Sequence, residues 1–145
     1  MTMYCPTRVL ISAASLVLLG CATTSSTSAT APHVVNSTTT TAFNQALRKR
    51  TPVSMFSLED SVVCIVDFAW SDVTRSGGDH VVKWRWYKEG TLVSQSEKQM
   101  TFNTSPYSTW TTRAASGLGP GQYKVETLLD DQVASSCEFQ IKAPQ

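Results

Sequence analysis

From residue 51 onward apolar and polar side chains alternate, and alternation of period two is the signature of strands with one buried face. Residues 61–70 read SVVCIVDFAW, which puts Val62, Cys64, Val66, Phe68 and Trp70 on one side. Residues 80–88 give the plainest case: Val82, Trp84 and Trp86 alternate with Lys83, Arg85 and Tyr87. Extended segments follow over 91–95 and 98–102, after a Glu89-Gly90 turn, and over 108–113, where β-branched residues cluster. Gly117-Leu118-Gly119-Pro120-Gly121 turns the chain into a strand over 122–129. Asp130-Asp131 then makes a tight hairpin into a last strand over 132–141. With a short strand over 53–57 the total is about seven or eight, and no helical pattern interrupts them. This spacing predicts an all-β fold, an antiparallel sandwich of about seven strands.

The first 50 residues follow another rule. Arg8 precedes an almost wholly apolar run over 9–19, the layout of a secretory leader. The run is too short to cross a bilayer, which takes about 20 apolar residues. Leu18-Leu19-Gly20-Cys21, placed directly after this leader, resembles the lipobox of bacterial lipoproteins. The resemblance implies a signal peptide over 1–20, cleavage before Cys21 and acylation (palmitate or a similar chain) of that cysteine. Ala22 rather than Asp after the cysteine implies the outer membrane, with the domain facing the periplasm or the cell surface. Two or three acyl chains, at about 0.8 kcal/mol per buried methylene, make a firm anchor.

Residues 21–50 read as a lipid-anchored, disordered linker rich in Ser and Thr, and residues 51–145 as the sandwich. A flexible segment of about 29 residues has a mean reach of about 30 Å. Near its end Phe43, Ala46, Leu47 and Arg50 share the spacing of one helical face, and Pro52 closes it.

Trp84 on a central strand, followed by Leu118-Gly119-Pro120-Gly121-Gln122-Tyr123-Lys124-Val125, resembles the immunoglobulin-like and fibronectin type III group over residues 52–142. The resemblance implies a buried Trp84 and a corner hydrogen bond from the Tyr123 hydroxyl. Antibody domains join cysteines on the second and sixth strands, whereas here Cys64 lies on the second and Cys137 on the last. Nothing about antigen binding carries over.

The four cysteines divide by compartment. Cys5 leaves with the leader and Cys21 is acylated, so Cys64 and Cys137 remain where thiols are oxidised. A disulfide between them is expected, and closing a loop of about 74 residues would contribute about 4 kcal/mol. Two separate buried thiols are the alternative.

Charge and chemistry narrow the function mostly by exclusion. The chain has 12 Lys+Arg against 11 Asp+Glu and only 16% charged residues. That balance lacks the electrostatic footprint of a nucleic-acid binder. The histidines are His33 and His80, and no nucleophile elbow, zinc, phosphate-loop or dinucleotide motif occurs. No catalytic residue, metal, cofactor or small-molecule substrate is therefore expected, and His80 reads as a solvated loop histidine rather than as half of a pH-sensitive pair with Asp79. Trp84 and Trp86 belong to the core phase, which leaves Tyr87, Tyr107 and Trp110 as candidate binding residues. The leading expectation is a non-enzymatic envelope lipoprotein, held in the membrane by its acyl chains, whose domain binds another envelope protein. A glycan- or peptidoglycan-binding module is the alternative, and a surface-presented enzyme inhibitor a third. A flat apolar face or free strand edge favours protein. An exposed aromatic row among polar side chains favours glycan.

Overall fold

The computed structural model describes residues 30–42 and 50–144, and everything structural below concerns those residues. The strands are β1 (His33–Thr40), β2 (Met55–Phe56), β3 (Ser61–Ala69), β4 (Gly78–Lys88), β5 (Thr91–Phe102), β6 (Tyr107–Ala114), β7 (Gly121–Leu129) and β8 (Gln132–Ile141). One helical turn, α1 (Ala115–Leu118), joins β6 to β7. The strands form two sheets, a three-stranded one ordered β1-β3-β6 and a five-stranded one ordered β2-β8-β7-β4-β5. All pairings are antiparallel except the two-residue β2 along β8. This is the all-β sandwich that the alternation predicts, with the immunoglobulin-like architecture that the resemblance implies.

The period-two pattern lands where it should. Val62, Cys64, Val66, Phe68 and Trp70 face Val82, Trp84, Trp86, Val125 and Phe139 in one core, with Trp84 only 4% exposed. Tyr123 stacks on Phe139 with centroids 5.3 Å apart, and its hydroxyl donates to the carbonyls of Leu118 and Gly119. The expected corner hydrogen bond is thus present, and it holds α1 against the start of β7. Asp130 and Asp131 both take left-handed φ, 48° and 67°, which matches the twist a two-residue hairpin needs.

Three features depart from the alternation. First, His33–Thr40 lies in the segment read as linker, yet it forms β1, paired with β3 from His33↔Ala69 to Thr40↔Val63. An edge strand needs few apolar side chains, and threonine favours extended backbone. Second, 91–95 and 98–102 are one strand of 12 residues. Third, β3 is buried on both sides: the outward-facing Val63, Ile65 and Asp67 are 6%, 0% and 8% exposed. Arg50 closes over Asp67 with a 2.8 Å ion pair, and Asn36 and Ser108 donate to the same carboxylate. Burial by itself pushes the Asp67 carboxyl upward, but the hydrogen bonds of Ser108, Arg50 and Asn36 and the Arg50 charge outweigh it and hold it below the usual range. The signal peptide, the acylated Cys21 and the helical face at 43–47 fall outside the described residues.

Candidate binding groove

The two sheets end together on one side of the sandwich, at β5 and β6, and there the core is incompletely filled. Ser96 lies opposite Trp84 and Ser94 opposite Trp86 in the β4–β5 register, so small hydroxyl side chains stand where apolar ones would seal the edge. The result is a groove of about 500 Å³ whose lining includes Trp84, Lys98, Met100, Tyr107, Thr109 and Trp110. That size suits a small ligand or a single projecting group.

Each wall has a local cause. Tyr107 opens β6 just after the cis Ser105-Pro106 bond and stacks on Phe102, centroids 4.5 Å apart and planes 21° from parallel. Thr109 points inward and donates to the Met100 sulfur at 3.3 Å, tying β6 to β5. Trp110, in the opposite phase, is 39% exposed. Trp84 is buried, and its indole N–H meets no hydrogen-bond acceptor. Native interiors seldom leave such a donor unpaired.

Charge enters from the edges. Lys98 lies opposite Val82 and Arg113 opposite Val62, so both cations project from the inward phase of edge strands. Arg113 donates to the Ser94 hydroxyl at 2.8 Å, whereas Lys98 makes no ion pair among the described residues. Inward-pointing charge on an edge discourages the addition of a further strand.

Of the three aromatic residues singled out from sequence, two meet here. Tyr107 and Trp110 share the groove, while Tyr87 lies on the outer face of the five-stranded sheet. There its hydroxyl donates to Glu126 at 3.0 Å, and the Lys124 ammonium lies 4.8 Å from its ring centroid. The Lys124 hydrogen bond, joined by that of Tyr87, lowers the Glu126 carboxyl below its ordinary range against the pull of burial. Lys83 adds bonds to Asp131 and Glu97 on the same face. That face is a satisfied charged lattice, not a flat apolar surface. The sequence pattern singles out neither Trp84 nor Lys98 for binding: Trp84 is a core residue whose edge meets the groove, and the inward phase of Lys98 follows only from its register with β4.

Other candidates resolve differently. His80 lies within β4 and pairs with Asp130 at 2.6 Å and with the Gly77 carbonyl at 2.9 Å, while Asp79 accepts from Thr101; it is a partnered strand residue and not the solvated loop histidine expected. Cys64 and Cys137, the pair expected to bridge, do come together across the sandwich, and both are free thiols in this structure. No group of three or more metal-ligating side chains exists among the described residues.

Comparison with known proteins adds fold and nothing finer. No family model and no curated protein matches the chain. Among solved structures, an immunoglobulin-like protein from Pseudomonas aeruginosa aligns over 80% of this chain and 100% of its own, with TM-score 0.52 and 5% identity. A DNA glycosylase from Pseudomonas fluorescens aligns over 77% of this chain and 30% of its own, with TM-score 0.49 and 12% identity. The first supports the immunoglobulin-like fold; the second carries no argument.

Proposed function

We propose that this chain is a lipid-anchored protein of the bacterial outer membrane whose immunoglobulin-like domain is a non-enzymatic binding module, and that its ligand is a glycan held in the groove between β5 and β6. The observation that supports the ligand class is that Trp84, Tyr107 and Trp110 line one groove together with Thr104 and Lys98; the Ser108 and Thr109 hydroxyls are already engaged with Asp67 and Met100. Aromatic faces take up the apolar face of a sugar ring, and hydroxyls exchange hydrogen bonds with its edge. Lys98 would select a saccharide carrying a carboxylate. The protein-partner reading, first in order from sequence, keeps one support in the free edge of β5, yet the inward Lys98 and Arg113 oppose strand addition there.

Calorimetric titration of the whole chain with soluble peptidoglycan fragments and with neutral chito-oligosaccharides tests the reading. Binding should appear with the acidic fragments, and Trp110→Ala should weaken it by about 2 kcal/mol, the scale of a stacked hot spot. Tyr87→Ala should bind like the parent. Absence of binding to every saccharide, together with a Trp110-dependent crosslink to an envelope protein in cells, would transfer the groove to the protein-partner reading.

A further inference from the structure

At the opposite edge of the sandwich from the groove, where β1 meets β8, lies a second opening of about 290 Å³. Its walls include Ser37, Thr39, Val53, Glu138 and Cys137. Cys137 is 8% exposed, and its sulfur lies 2.9 Å from the Ser37 hydroxyl. Cys64, its neighbour from the facing sheet, is 0% exposed and lines none of this cleft. The two thiols are therefore unlike. One stands at the bottom of an opening with a hydroxyl beside it, and the other stands behind it in the core.

We infer that Cys137 and Cys64 form an asymmetric thiol–disulfide site, in which Cys137 meets disulfide-bearing oxidants through the β1–β8 cleft and Cys64 resolves the mixed disulfide. In the first step the Cys137 thiolate attacks one sulfur of a disulfide RSSR, forming the Cys137–SR bond and releasing RS⁻. In the second, Cys64 loses its proton and attacks the Cys137 sulfur, forming the Cys64–Cys137 bond and releasing the second RS⁻. Two protein thiols are oxidised and one external disulfide is reduced to two thiols; the protons end on the released thiolates.

The electrostatics run the same way. Hydrogen bonds from Cys64 and Ser37 favour the Cys137 thiolate against the cost of burial. For Cys64 the order reverses: its hydrogen bond to Cys137, burial and the neighbouring charge all push its thiol up. The first proton thus leaves the sulfur that faces the cleft, which is where a nucleophile is useful. The site is independent of the groove and survives the failure of the glycan reading.

The test uses the reduced full chain, oxidised glutathione as the disulfide, and peptide mapping so that each cysteine is followed separately. The wild type should pass through a transient glutathione adduct on Cys137 to a Cys64–Cys137 crosslink lacking two hydrogens. Cys64→Ala should stop at a stable adduct on Cys137, and Cys137→Ala should leave Cys64 unmodified. Ser37→Ala, which leaves both cysteines in place, should slow the first step several-fold without changing the melting temperature much. Wild-type protein that keeps both thiols alkylatable after prolonged oxidation would overturn the inference. So would a transient adduct on Cys64 instead of Cys137, a readout that needs no variant to fold.

Discussion

Trp86 and Trp110 are the same residue type with opposite consequences. Trp86 is 0% exposed in the core, so Trp86→Ala removes a full aromatic packing volume and should cost about 3–5 kcal/mol. Against a usual total of about 5–15 kcal/mol, that lowers expression and melting temperature sharply. Trp110→Ala, at a site 39% exposed, should cost about 1 kcal/mol or less and act mainly on binding. Thermal melts of the two variants side by side check both. Tyr107 belongs between them: its stacking on Phe102 means that truncation disturbs the core margin as well as the groove, so Trp110 is the cleaner probe. Asp67 sets an acid limit. Its carboxyl is held below the unfolded value, so the stabilisation is complete above about pH 4 and is withdrawn as the pH falls further. Urea melts of the wild type should weaken as the pH falls below about 4, and Asp67→Asn should be less stable at neutral pH with a flatter acid profile.

Strand β1 is the element that most changes how the molecule is bounded. It pairs with β3 along its length and carries Ser37 and Asn36 to Cys137 and Asp67. A chain begun at residue 51 lacks this edge and leaves β3 half paired, so circular dichroism should find it unfolded or melting far below a chain begun at residue 30. The sequence concealed β1 because its inward positions, Val34, Ser37 and Thr39, include one hydrocarbon side chain, and its neighbours share the Ser/Thr composition of a linker. β4 was legible for the opposite reason, since bulky tryptophans alternate with cations and leave one choice of buried face. The groove was half legible. Tyr107 and Trp110 stood out by type, but their meeting with Trp84 and Lys98 depends on which strands end at the same edge, a relation of topology and register that no local pattern encodes. The Asp130 partner of His80, fifty positions away, was hidden for the same reason.

At the scale of the whole molecule the decisive residue is Cys21. Under the lipid-anchored reading, Cys21→Ser should move the protein from the membrane fraction to the soluble one, because the acyl chains on that cysteine are the anchor this reading supplies. Retention of the variant on membranes washed with high salt would end that reading. The place of β1 then has a geometric consequence. With the sandwich beginning at His33, only 12 positions separate it from Cys21 (33 minus 21), not the 29 that a linker to residue 50 would allow. As a flexible segment, 12 residues have a mean reach of about 20 Å, against about 30 Å for 29. Under the lipid-anchored reading the domain is then on a short leash, a tenant of the bilayer's immediate neighbourhood, and a ligand would have to come to the membrane to be caught.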